Sequence, residues 1–367
     1  MKKNLFGWLA MAAMLVGTGC STDEVVNDYS PENAIQFGTY VGRDAQGRGT
    51  VLDNTVATGL SHQGFGVFAY YTNDGDFKPA SSELNYMKNT MVTSTDATNW
   101  TYSPIKYWPN EATDKLSFFA YAPYNSGYSP NSTTGDPILS FTVPNEVTNQ
   151  IDLVVADATD MKDLTKQSVN GKVSFDFKHV LSRVGFDVEA VIDQTNEADG
   201  VNPDTDSQNN AIADGTVITV QEVELYGNFN TSANINLNSS AWSNGTTESV
   251  SYKLMGTSGD FTDVANSVSI SKAQLNKDSE YMMLIPVETN IKIRVKYTVT
   301  TTDFSLDGGN SEIVNDITSA EIPFTFVQGK AYDFVLHLGL TSVKLSASVT
   351  GWDTEENIVV NVPMNFN

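Results

Sequence analysis

The residues with spacing suited to chemistry lie near the N-terminus. Lys2 and Lys3 precede an uncharged stretch from Leu5 to Gly19 that stops at Cys20, the one cysteine among 367 residues. The pattern is that of a cleaved export signal, and its apolar part is shorter than the ~20 residues a membrane-spanning helix needs. With no second thiol, Cys20 cannot form an intrachain disulfide even in an oxidising compartment. Thioether attachment of a diacylglycerol is the chemistry expected of a cysteine at this position. The small residues Gly17, Thr18 and Gly19 suit the peptidase of bacterial lipoproteins, although Gly17 stands where a leucine is usual. The alternative is an ordinary signal with an incidental cysteine. Residues 1–19 are therefore read as signal and 20–33 as a polar tether, with an acidic start that resembles a signal for the outer face of the cell.

A second place for chemistry is the loop GRDAQGRGT. Only four arginines occur in the chain, and Arg183 and Arg294 fall in apolar, strand-like segments. Arg43 and Arg48 lie among three glycines, where an extended backbone can enter a protease site. An arginine-specific protease is the partner this implies, with Arg48 the first choice and Arg43 the second.

Other catalytic constellations are absent from the sequence. There is no G-x-S-x-G elbow, P-loop, dinucleotide fingerprint or H-E-x-x-H pair. His62, His179 and His337 are far apart, without cysteine or carboxylate at ligand spacing. His179 reads as a turn cap. Asp204 and Asp206 lack the glycine of a calcium loop. Paired carboxylates for glycoside hydrolysis remain a formal alternative. We expect no enzyme, no cofactor and no metal. The formal charge of −23 disfavours nucleic acid and anionic lipid as partners.

The elements that hold these residues read as strands almost throughout: short β-branched or aromatic runs separated by Asn, Asp, Gly, Pro and Ser. They begin with AIQFGTYV from Ala34, GFGVFAYY from Gly64, KLSFFAYA from Lys115, ILSFTV from Ile138 and KVSFDF from Lys172. They continue with VGFDVEAV, GTVITVQEVELYG, YMMLIPV, IKIRVKYTVT, EIPFTF, YDFVLHL, SVKLSASV and ENIVVNV. Short turns are expected at 271–276 and 179–182. This spacing predicts an all-β chain of sandwich or barrel type. A break near Leu181 divides it into residues 34–181 and 182–367, with 193–215 a surface loop of the second part.

Three stretches carry a family resemblance: NWTYSPIKYWPN followed by DKLSFFAYAPY, then FDFKHVLSRVGFDV, then QGKAYDFVLHLGLTSVKLSASVTGWD. Together with the N-terminal signal, they resemble the fimbrillin family, the pilins of type V pili in Gram-negative anaerobes. That resemblance implies two tandem β-sandwich domains of transthyretin-like or immunoglobulin-like type, export as an outer-membrane lipoprotein, and assembly with other fimbrial subunits into a surface fimbrium after proteolysis. Physically the motifs look like packing. Trp100, Tyr102, Tyr107 and Trp108 surround Pro104, and alternation puts Leu116, Phe118 and Ala120 on one face with Ser117, Phe119 and Tyr121 on the other. A core is expected, with a sugar-stacking platform as the alternative.

A sandwich lacking one strand can be completed by a neighbour's extended segment. Ile35, Phe37 and Val41 share one face of a strand that could be removed. Ile358, Val360, Val362, Met364 and Phe366 alternate in a segment that could be donated. Each buried side chain is worth ~1.5–3 kcal/mol, while ordering each residue costs ~1–2 kcal/mol. Backbone hydrogen bonds and the instability of an empty groove must therefore contribute. Head-to-tail contacts of this kind propagate without closing. If the last strand instead pairs within its own domain, a tip adhesin or anchor subunit is the expectation. A surface lipoprotein that binds glycan is a further alternative, and a host protein or glycan is the partner expected for adhesion.

Overall fold

The computed structural model describes residues 30–41, 59–190, 216–255, 263–265, 273–275, 281–302, 310–339, 343–352 and 357–360. Its first eight strands are β1 (Gln36–Val41), β2 (Phe65–Tyr71), β3 (Met87–Ser94), β4 (Trp100–Tyr102), β5 (Leu116–Ala122), β6 (Ile138–Thr142), β7 (Val154–Ala156) and β8 (Lys172–His179). The next six are β9 (Ser182–Ala190), β10 (Thr216–Asn236), β11 (Ala241–Met255), β12 (Asp263–Ala265), β13 (Ala273–Gln274) and β14 (Met282–Leu284). Then come β15 (Val287–Thr302), β16 (Asn310–Thr318), β17 (Ile322–Phe326), β18 (Lys330–Leu338), β19 (Val343–Gly351) and β20 (Asn357–Val360). The described α-helix, α1, is a single turn at Leu60–Gln63. No described helix is long and apolar enough to cross a membrane. The chain is nearly all β, as the alternation of apolar residues requires.

The first sheet runs β1-β8-β7-β5-β2-β3-β4. Only the β1–β8 pair is parallel, while the other neighbours are antiparallel. Its inner strands β7, β5 and β2 are buried on both faces, and the two faces of β5 divide as its alternation demands. Leu116, Phe118 and Ala120 join a cluster with Phe37, Phe65, Trp108, Phe175 and Phe177. Phe119 and Tyr121 join a larger core shared with residues of β9, β10, β15 and β18.

The second sheet is organised by β10. Along one edge it meets β12 and β11, and along the other β15 and then β6. The third sheet runs β13-β9-β18-β19-β20, with β14 also paired to β9. β6 belongs by sequence to the segment before Leu181, yet it pairs with Ser232–Asn236 of β10. Other links span the same point. The Trp242 indole donates to the Val180 carbonyl at 2.8 Å, and the Gln150 side-chain carbonyl accepts the Met283 N–H at 2.6 Å.

Two local expectations are corrected. His179 is the last residue of β8 rather than a turn cap. It is buried, its Nδ1 lies 3.0 Å from the Asp152 carboxylate, and its ring stacks on Trp352 at 4.1 Å. Where a turn was expected near 271–276, Ala273–Gln274 instead pairs with β9.

Candidate assembly site around the first strand

β1 lies at one end of the first sheet and β4 at the other, but the two ends approach each other. The Ile35 N–H donates to the Lys106 carbonyl and the Trp108 N–H to the Asn33 carbonyl, each at 2.9 Å. Ala34 forms an antiparallel bridge with Tyr107. The Tyr102 hydroxyl donates to the Ile35 carbonyl at 2.9 Å and to the Lys106 carbonyl at 3.1 Å. Burial pushes the Tyr102 phenol up to about 12, partly opposed by the hydrogen bond from the Lys106 backbone. The short segment after β4 thus catches the start of β1 while β8 holds its full length, Gln36 opposite Lys172 through Val41 opposite Phe177.

Inside this curl, Ile35, Phe37 and Val41 are 2%, 2% and 1% exposed. Phe37 is the centre of the packing: it stacks on Phe175 at 5.7 Å and meets Tyr102 at 5.2 Å, with Phe65 and Phe118 edge-on at 6.2 Å each. Edge-to-face and offset rings of this kind add to the apolar burial. Trp108 closes the cluster, 6.0 Å from Phe118, with its indole donating to the Gly171 carbonyl. Trp100 lies against Phe65 at 5.0 Å. The aromatic motif of the sequence is packing material, with Trp100 and Tyr102 partly buried against the same core.

The other singled-out residues are placed as follows. Cys20, Arg43 and Arg48 lie outside the described residues, as do Val362, Met364 and Phe366. Ile358 and Val360 lie in β20, whose backbone pairs antiparallel with β19, Ile358 opposite Val349 and Val360 opposite Ala347. Arg183 and Arg294 lie in β9 and β15. Arg183 is sandwiched against Tyr281 and Trp352. Among the described residues, no three His, Cys, Asp or Glu are grouped to hold a metal.

A charged cluster on the second sheet escaped the sequence reading. Arg294 donates to both Asp316 carboxylate oxygens at 2.7 Å, to Glu222 at 2.9 Å and to Glu224 at 3.1 Å. Glu224 also accepts from Tyr226 and pairs with Lys253 at 3.3 Å. Burial alone would raise the Glu224 carboxyl, but hydrogen bonds from Tyr226, Ser251 and Arg294 outweigh it and hold the group below its ordinary range. No local pattern signals this cluster, since its members are 22 to 72 residues from Arg294.

A sequence profile described as fimbrillin-like matches residues 51–352. The chain belongs to the fimbrillin-like family. Among relatives of this fimbrillin-like chain is the fimbrium subunit Fim1C of Phocaeicola vulgatus, 27% identical over 401 aligned positions that cover 96% of this chain and 98% of the relative. Among solved structures, a fimbrial protein from Bacteroides vulgatus is similar with a TM-score of 0.65 and 22% identity, covering 87% of this chain and 99% of that one. That likeness supports the fold of the fimbrillin-like chain. The profile match begins beyond Arg48 and ends before β20, so the first and last strands rest on their own geometry.

Proposed function

We propose that this chain is a structural subunit of a cell-surface fimbrium, exported as an outer-membrane lipid-anchored precursor through Cys20 and polymerised by strand exchange. Cleavage after Arg48, or after Arg43, frees β1 with the anchor. The observation that carries this reading is the place of β1: an end strand that, among the described strands, pairs with β8 and roofs the aromatic cluster of Phe65, Tyr102, Phe118 and Phe175. Its departure leaves the β8 edge unpaired and Phe37's contacts empty, a groove that an apolar extended segment from another subunit can fill. Val41 is the last described residue of β1, and Arg43 follows two positions later. The donated segment is the C-terminal strand with Ile358, Val360, Val362, Met364 and Phe366. In this reading residues 34–181 and 182–367 are the two tandem domains, and the assembled fimbrium serves adhesion to a host protein or glycan.

The pairing of β20 with β19 favours a second reading, in which the last strand stays in its own sheet and the chain is a tip adhesin or an anchor. Electron microscopy before and after limited digestion with an arginine-specific protease separates the two. Filaments should appear only after digestion and should be lost on deleting residues 357–367 for a shaft subunit, but only partner-dependent incorporation should be seen for a tip or anchor. Replacing Arg43 and Arg48 by Ala should leave full-length lipidated monomers. Filaments whose subunits retain Cys20 through Val41 would rule out the cleavage mechanism.

A further inference from the structure

The outer face of the second sheet holds a cleft of about 480 Å³ lined by Tyr226, Asn228, Ser249, Asn290, Lys292 and Glu321, among others. Its size suits a small ligand, since such pockets run from roughly 300 to 1,000 Å³. Its floor is saturated: Tyr226–Asn228 of β10 pairs with β11 on one side, and Tyr226–Gly227 pairs with β15 on the other. β15 is in turn covered by β17 at Asn290 and Ile291. A strand from another protein therefore finds no free backbone edge here, and the lining offers little apolar surface for a helix.

What the lining offers is an aromatic ring surrounded by amides and hydroxyls. Tyr226 is half-buried, and its hydroxyl is tied to Glu224, itself held by Arg294 and Lys253. The ring is thus anchored through its polar tip, leaving its apolar body to line the cleft. The cation and anion of the lining compensate each other, Lys292 Nζ lying 3.2 Å from Glu321 Oε1. An anionic ligand would have to break that pair and approach a chain of net charge −23.

We propose that this cleft binds neutral carbohydrate, one sugar ring lying on Tyr226 with its hydroxyls bonded by Asn228, Ser249, Asn290 and the Lys292–Glu321 pair. The combination fits sugars, which present an apolar C–H face and a rim of donors and acceptors. The site stands apart from the strand-exchange groove, so this inference does not depend on the assembly reading.

The test is saturation-transfer NMR and calorimetry on the full-length chain with lactose, maltotetraose and mannotriose as neutral probes and 3′-sialyllactose as an anionic one. At least one neutral probe should bind at millimolar concentration. Tyr226→Ala should weaken it by about tenfold, from loss of the ring contact, and Tyr226→Phe should retain most of it. Asn228→Ala, at an exposed position, should weaken binding with the melting temperature unchanged and so separates lost contact from lost fold. No binding of any neutral probe by the unaltered chain overturns the proposal, as does undiminished binding by Tyr226→Ala or a preference for sialyllactose over lactose. Filament formation by Tyr226→Ala should be normal, so a failure here leaves the assembly reading untouched.

Discussion

Phe37 touches four aromatic rings from four different segments of the chain, and its truncation removes contacts that no neighbour can replace without repacking. Phe37→Ala is expected to cost about 3–5 kcal/mol, as are Trp108→Ala and Phe118→Ala, read by denaturant unfolding. A wild-type midpoint for any of them would place that ring outside the core. Arg294→Met tests the charged cluster. It strips the buried Glu224 of one donor and Asp316 of its bidentate partner, and should cost roughly 1.5–3 kcal/mol. The hydrogen bonds of Arg294 also hold the Asp316 carboxyl below its ordinary range, as those around Glu224 do for its carboxyl. A depressed carboxyl adds stability above its unfolded value of about 4 and loses it as the pH falls through the folded value. Melting temperature should therefore drop on acidification below about pH 4, and less steeply in Arg294→Met. The core residues were legible because alternation assigns a face from sequence alone. The Arg294 cluster and the His179–Asp152 pair were not, because each joins residues that only tertiary folding makes neighbours.

Among the elements, the longer apolar strands announced themselves, whereas β7 is too short to show a period and β11 and β16 lack a continuous inward face. β11 reads AWSNGTTESVSYKLM. It lies at an edge of the path β11-β10-β15-β16, so it has few buried positions to mark. β16, at the opposite edge, exposes Ile313 and Val314, so its apolar residues follow no inward alternation. β3 is an inner strand, but β4 pairs with only Val92–Ser94, so its first half, with Lys88, Asn89 and Thr90, has no neighbour on that side among the described strands. β1, by contrast, was legible because Phe37 and Val41, with Ile35 just before it, face the core. Its proposed release can be tested by tethering it. Tyr40 and Asp176 are register partners across β1 and β8, and neighbouring strands lie about 4.8 Å apart, within the span of two bridged cysteines. Combining Tyr40→Cys with Asp176→Cys should give a chain that stays monomeric after arginine-specific digestion and polymerises once a reductant is added. Polymerisation of the oxidised form would show that β1 does not need to leave.

At the scale of the whole molecule, the tyrosines set an alkaline limit. Burial pushes Tyr102, Tyr252 and Tyr297 each up to about 12. A phenol raised on folding contributes stability that is intact below the unfolded value of about 10 and is lost as the pH climbs through the folded one. Ultraviolet titration should show these phenols ionising together with loss of folded structure between pH 10 and about 12, whereas ionisation of all tyrosines near the free value with the fold intact would contradict their burial. The strand content and the approximate place of most strands could be read in advance, but which sheet each joins could not, because pairing partners are set by topology rather than by local pattern. β6 is the clearest instance. Its sequence gives no sign that Ile138–Thr142 leaves the first sheet to lie beside β10. That excursion has a mechanical meaning. Pulling the segment before Leu181 away from the segment after it must rupture the β6–β10 ladder and part a shared core at the same time, so tension on one half is borne by both.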